Sequence, residues 1–278
     1  MKNLAWVLFA GCLAACPTAA QGGTKVTVGK EARKHVALDE VDHSAWNALL
    51  QKYCDKEGYV AYAAWQASSA DVARLDGYLA TLSTGDPDLE SSREGLLAFW
   101  INAYNAVTVR GILREYPTTS IRNHTAKVLG YNIWHDLLLV VGRESYSLDT
   151  IEHKILRKAG ENRIHFAIVC ASVGCPRLRN EAYAADQLDE QLAENTRDFF
   201  SHSKNIKVDA AAKTIEVSAI LDWFKEDFGD SPKAGLASLA EYLPKDAARL
   251  ARLKDVHVKY LDYDWGLNDQ SSRKTARR

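Results

Sequence analysis

Residues 163–180 read RIHFAIVCASVGCPRLRN, and the rest of the chain is organised around them. Ile164 to Cys170 is a short apolar run rich in Ile, Val and Phe, bounded by charge before it and by Ala-Ser-Val-Gly after it. That is the pattern of a buried central strand. Gly174 and Pro176 together cannot continue a strand, so the chain turns there, and helix-forming sequence resumes near Ala184. Cys170 is thus predicted where a buried strand gives way to a loop leading into a helix, a place where α/β proteins put reacting groups. A thiol there is a candidate nucleophile. The plainer expectation makes Cys170 a small core hydrophobe and Cys175 a loop residue.

The 278-residue chain is 47% hydrophobic, enough to bury a substantial core, and no linker divides it, which predicts one globular domain over residues 41–268. With 35 Lys and Arg against 36 Asp and Glu it has no global basic field, so no nucleic acid is expected as a partner. The basic cluster Arg273 to Arg278 reads as part of a disordered tail over residues 269–278. Residues 1–20 have the form of a targeting segment: Lys2, an apolar run from Leu4 to Ala15, then small residues, too short for a comfortable membrane span. Within it Leu13-Ala14-Ala15-Cys16 resembles the lipobox of bacterial lipoproteins, which makes Cys16 a lipidated anchor to the membrane. The alternative is an ordinary secretory signal cut near Ala20-Gln21. Either way an exported protein is expected, periplasmic and membrane-anchored or else secreted and soluble. Residues 21–40 are polar without clear period and read as a tether. Cys54, Cys170 and Cys175 remain in the folded part, an odd number in an oxidising compartment, so at least one thiol lacks an intramolecular partner. Cys170 and Cys175 are close enough in sequence for a small-loop disulfide, which would contradict a free nucleophile.

Val41, Ala45, Trp46, Leu49, Leu50 and Tyr53 mark a helix from Val41 to about Lys56, and a second runs from about Ser69 to Thr81. The longest helical signal, Arg93 to Glu115, is apolar nearly all round, so it is predicted as a central buried helix closed by Tyr116-Pro117. Asn102 and Asn105 share one face of it, in surroundings where an unpaired amide would cost about 1 to 3 kcal/mol. They must have partners. Either they bridge the helix to a neighbouring strand or loop, or one of them orients an imidazole or donates to an oxyanion.

Leu137 to Val141 and Ser145 to Leu148 form a predicted hairpin around Gly142-Arg143. Asp149 followed by Glu152 has capping-box form, so a helix is expected to begin there. Beyond the central strand come a long amphipathic helix from Ala184 to Phe200 and a hairpin of Ile206 to Val208 with Thr214 to Val217. Short helices over Ala219 to Phe228 and Leu236 to Leu243 precede a strand from Val256 to Leu261.

A thiol nucleophile needs a base. On a strand, the odd separation of His165 from Cys170 sends the two side chains to opposite faces, which makes His165 a poor base. His153, on the helix before the strand, is better placed; His124 and His135 have weaker claims. Glu152 or Asp149 could orient the ring, although Glu152 points about 100 degrees from His153 on an ideal helix. A hydrogen-bonded interface role is the plainer expectation for any of these histidines. The cysteines and histidines match none of the usual zinc spacings, no G-x-S-x-G turn or phosphate-cradling glycine loop is present, and neither metal nor cofactor is expected.

FWINAYNA (Phe99 to Ala106), SLDTIEHKILR (Ser147 to Arg157), RIHFAIVCASVGCPRL (Arg163 to Leu178), WFKEDFG (Trp223 to Gly229) and YLDYDWGLN (Tyr260 to Asn268) together resemble the family of the domain of unknown function 547. The resemblance spans roughly Trp46 to Asn268. It implies exported or lipid-anchored bacterial proteins, with plant relatives that carry the domain at the end of a longer chain. It further implies a cysteine at the position of Cys170, where a serine can replace Cys175, and a Glu-His pair at Glu152 and His153. That is a Cys-His-Glu site like those of papain-related hydrolases, with the chain order of His and Cys permuted. The fold expected is α+β: a helical N-terminal half whose buried central helix packs on a small mixed or antiparallel sheet, on papain or transglutaminase lines. The activity expected is a thiol-dependent hydrolase or acyltransferase acting on an amide or peptide bond of a small substrate. Cys170 would attack, His153 would shuttle the proton, Glu152 would orient the ring, and Asn105 with a loop amide would hold the oxyanion. The rival expectation is a non-catalytic envelope binding module in which the same residues form a satisfied polar core.

Overall fold

The computed structural model describes residues 24–126 and 130–273. At its centre runs the helix Arg93–Glu115, started by Ser92, whose side chain accepts from the Gly95 amide. Its apolar stretch is long enough to cross a membrane by length and composition, but 89% of it is buried inside the fold, so it serves as the axis of a core. The helices Ser44–Tyr53, Tyr62–Ala67 and Ser69–Leu82 pack around this axis. Their aromatic residues interlock: Trp46 stacks on Tyr78 and Tyr53 on Trp65, with centroids 5.9 and 4.6 Å apart.

Strand β1 (Val26–Val28) pairs in parallel with β2 (Leu137–Val141), which pairs antiparallel with β3 (Glu144–Ser147). Leu137, Leu139 and Val141 alternate into the helical core, as the period of a half-buried strand requires. A second sheet joins β4 (Ile206–Asp209) antiparallel to β5 (Thr214–Ser218), and β5 parallel to β6 (His257–Leu261). It closes a smaller core formed by Phe166, Phe199, Phe200, Ile215, Val217 and Phe228 among others. The helix Leu188–Ser201 delivers Leu188 and Leu192 to the larger core and Phe199 and Phe200 to the smaller one. The fold is α+β, with two small mixed sheets where one was expected.

Several expectations are corrected. The run Ile164 to Cys170 is not a strand: Asn162–Phe166 is a 3-10 turn and the chain continues irregularly. It is apolar because it crosses the central helix. Asn105 replaces a neighbouring strand, its Oδ1 accepting from the Val169 amide at 2.9 Å and its Nδ2 donating to Ala167 O at 3.0 Å. Asn102 holds Tyr183 in the same two-bond manner, at 2.9 and 2.8 Å. The stretch read as a tether contributes β1 and the buried Leu38. The supposed tail is docked as far as Arg273, since Asp269 is buried and Gln270 N donates to Val60 O. The helix after β3 is capped by Ser147, not Asp149. Ala219 to Phe228 splits into two short helices, and a further helix, Lys245–Ala251, follows Pro244.

Candidate functional site

A cleft of about 280 Å³ opens where the two cores meet. Tyr104 of the central helix and Trp134 and His135 line part of it, and four further segments carry the rest. The first is the helical stretch after β3. Ser147 Oγ accepts from the Thr150 amide at 3.1 Å, and the middle of the stretch, Ile151–Leu156, is wound as a π-helix, a widening that recurs at functional sites. Glu152 and His153 both reach the cleft from it. Burial pushes the Glu152 carboxyl up to about 7, while the hydrogen bond donated by Tyr104 at 3.0 Å and the charge of Arg157 pull the other way. Arg157 donates to His153 Nδ1 at 3.0 Å, and a guanidinium has only protons to give, so Nδ1 carries the ring's lone pair and Nε2 its proton. Asp149 lies 3.8 Å from that Nε2.

The second segment is the loop Cys170 to Cys175. The two cysteines are joined as a disulfide, and both line the cleft. Cys170 is half-buried, whereas Cys175 is only 4% exposed. The Cys175 sulfur accepts from the Cys170 amide at 3.0 Å and from the Tyr263 hydroxyl at 3.0 Å; that hydroxyl also lies 3.2 Å from Cys170 Sγ. The loop turns through Ala171 at φ 58°, a left-handed conformation costing a side-chain-bearing residue on the order of 1 kcal/mol. It is held there by the chain end. Asn268 N donates to Ala171 O, Val173 N to Gly266 O and Gly174 N to Asp264 O, at 3.0, 2.8 and 2.8 Å. Gly174 must be glycine for this ladder, since a Cβ would stand 2.9 Å from the Tyr263 ring and 3.0 Å from the Asp264 backbone.

The third and fourth segments are the aromatic walls. Trp223, 46% exposed, stacks on Trp265 at 5.6 Å and leans on Tyr263 at 4.8 Å. Phe224 stacks on His165 at 4.1 Å, and Asp227 accepts from His165 Nε2 at 2.7 Å and from Arg157. Burial lowers His165 to about 4, outweighing the opposing pull of Asp227, so the ring is neutral near pH 7 with its lone pair on Nδ1. Burial pushes the Asp227 carboxyl up, but hydrogen bonds from Arg157 and His165 hold it below the usual range.

Of the residues predicted from sequence, Cys170, His153 and Glu152 come together at one cleft, and Asn105 does not. The Asn105 amide is committed to Val169 and Ala167, so the oxyanion role has no support. The strand alternation that would separate His165 from Cys170 is absent, and His165 lines the cleft together with His153. Cys16 lies outside the described residues. Cys54 is a buried free thiol donating to Leu178 O at 3.2 Å, with its pKa pushed up by burial, and is inert. Sequence reasoning missed Asp227, Tyr263, Trp223 and Trp265, although the runs WFKEDFG and YLDYDWGLN carry them. Among the described residues no group of three His, Cys, Asp or Glu side chains is arranged to hold a metal ion.

No curated protein and no solved structure matches the chain. The model of a family described as "Protein of unknown function, DUF547" matches residues 89–200, which include the central helix, Glu152, His153 and both cleft cysteines. Over residues 89–200 the chain is therefore similar to the DUF547 family.

Proposed function

We propose that this protein is a binding domain of the bacterial cell envelope whose aromatic cleft takes a small peptide or amide-bearing ligand. One observation carries this reading: the groups that thiol hydrolysis would draw on are already engaged. Cys170 is in a disulfide, the His153 lone pair faces Arg157, and Asn105 is bound to backbone. What stays open to a ligand is the wall of Trp223, Tyr263 and Trp265 beside a carboxyl close to neutrality, an apolar site with few polar groups to fix orientation. Export and a lipid on Cys16 would place the domain at the membrane; a mature N-terminus mapped to Gln21 by mass spectrometry would rule the anchor out. The cleft is tested by tryptophan fluorescence against a panel of N-acetylated peptide amides. Binding is expected, with Trp223→Ala weakening it about tenfold; saturation that survives both Trp223→Ala and Trp265→Ala would place the ligand elsewhere.

A second reading, a thiol hydrolase or acyltransferase on papain-like lines, is favoured by the presence of Cys170, Glu152, His153 and His165 in one cleft. It requires the disulfide to be opened first. The base would then be His165, whose Nε2 is held by Asp227 with the lone pair on Nδ1, in preference to His153. After reduction, His165→Ala should slow alkylation of Cys170 more than His153→Ala does. Alkylation unchanged by either substitution, or as slow as that of a buried structural thiol, would remove this reading.

A further inference from the structure

We propose that the Cys170–Cys175 disulfide is redox-active, exchanging with thiols that enter the cleft. Two features set it apart from a disulfide that merely ties a loop. The first is access: the Cys170 sulfur stands half-exposed in the cleft, where an incoming thiolate can approach it, whereas Cys175 is covered. The second is the environment of the covered sulfur. It accepts hydrogen bonds from the Cys170 amide and the Tyr263 hydroxyl, each at 3.0 Å. Donors aimed at a sulfur stabilise it as a thiolate, and the rate of exchange rises as the leaving sulfur becomes a better anion. The asymmetry therefore assigns the roles: Cys170 is attacked and Cys175 departs.

The reductant is a thiol, RSH. Its thiolate attacks Cys170 Sγ, the S–S bond breaks, and its electron pair leaves with Cys175 Sγ, which takes up a proton from the cleft. A second RSH, losing its proton, attacks the RS sulfur of the mixed disulfide and displaces Cys170 as a thiolate that is then protonated. One disulfide and two RSH become one dithiol and RSSR, with two electrons passing to the protein. One acid in the cleft suits the proton movements, Glu152, whose carboxyl is pushed up to about 7; the Tyr263 hydroxyl, whose proton burial holds more tightly, donates a hydrogen bond to the departing sulfur. In this cleft the same exchange with a small disulfide restores the oxidised form.

The test uses the folded full-length chain with reduced glutathione as probe, followed by acid quenching and peptide mapping of free and modified cysteines. The expected result is loss of the Cys170–Cys175 link at glutathione concentrations that leave the protein folded by circular dichroism, with Cys54 unmodified. With oxidised glutathione, Cys175→Ser should accumulate a mixed disulfide on Cys170, while Cys170→Ser should give little on Cys175. Tyr263→Phe, which keeps the ring and removes the donor, should slow opening about tenfold. A link that opens only on unfolding, equal capture by either cysteine, or no effect of Tyr263→Phe would each overturn the proposal. Exchange requires no peptide ligand, so this result and the fluorescence test of the cleft stand or fall separately.

Discussion

The central helix and the segment from Ile164 to Cys175 are both largely buried, but their backbones find hydrogen-bond partners differently. The helix Arg93–Glu115 satisfies its own backbone along its length. The later segment borrows: Asn105 serves Ala167 and Val169, Asn195 serves Phe166, and residues 264–268 serve the cysteine loop. Self-sufficient elements form the frame of this protein, and the borrowed one presents its sulfurs. A backbone freed from the repeat of helix or sheet can turn through Ala171 and set two cysteines and a tyrosine hydroxyl against one another.

The comparison breaks most directly at Asn105. Asn105→Ala leaves a buried amide and a buried carbonyl without partners and opens a small void, so unfolding in urea should show a loss of about 3 kcal/mol. Asn102→Ala should cost a similar amount, because it serves Tyr183 in the same way. A loss below about 0.5 kcal/mol for Asn105 would mean that the segment does not depend on the borrowed bonds.

A smaller effect is expected at Gly174, where the cysteine loop meets the chain end. Gly174→Ala forces a methyl group against the Tyr263 ring and the Asp264 backbone, and thermal unfolding should show a loss of about 1 to 2 kcal/mol. Exposure of the Tyr263 hydroxyl, read from a lowered phenol titration, should accompany it. Unchanged stability and titration together would show that the ladder to residues 264–268 is slack.

The smallest effect sharpens the picture of the cleft itself. Glu152 holds its proton up to about 7 in the fold against an ordinary 4.5, so the folded state binds more protons than the unfolded between those values. Its contribution is intact below 4.5 and is lost as pH rises through 7. Glu152→Gln, which can still accept from Tyr104, should therefore gain about 1 to 2 kcal/mol at pH 8 and nothing at pH 4. A gain of equal size at both pH values would show that its carboxyl is not held out of water.

These contrasts also explain what was legible in the sequence. The central helix was bounded correctly at Arg93 and Glu115 because propensity, apolar surroundings and the closing Tyr116-Pro117 agree locally. The strands flanking Gly142 and the helix through Leu188 to Phe200 were readable for the same reason. Ile164 to Cys170 has the apolar pattern of a buried strand without being one, because its bonding partners, Asn105 and Asn195, are 64 and 29 residues from Val169 and Phe166. Proximity of Cys170, Glu152 and His153 was anticipated from one helix and the run after it. The parts contributed by Trp223, Asp227 and Tyr263 were not, since no period or spacing links those positions to Cys170. The use of Asn105 was open in sequence between bridge and oxyanion donor, and only the two bonds to Val169 and Ala167 distinguish them.

The central claim is that Cys170 floors this cleft as a disulfide and not as a free nucleophile. It is tested by non-reducing peptide mapping of the native protein, isolated from its own cell and alkylated at harvest. The account predicts a linked peptide pair containing Cys170 and Cys175, with Cys54, the remaining cysteine of the described residues, recovered as a thiol after denaturation. Recovery of Cys170 fully alkylated at near-neutral pH, with Cys175 also free, would contradict it.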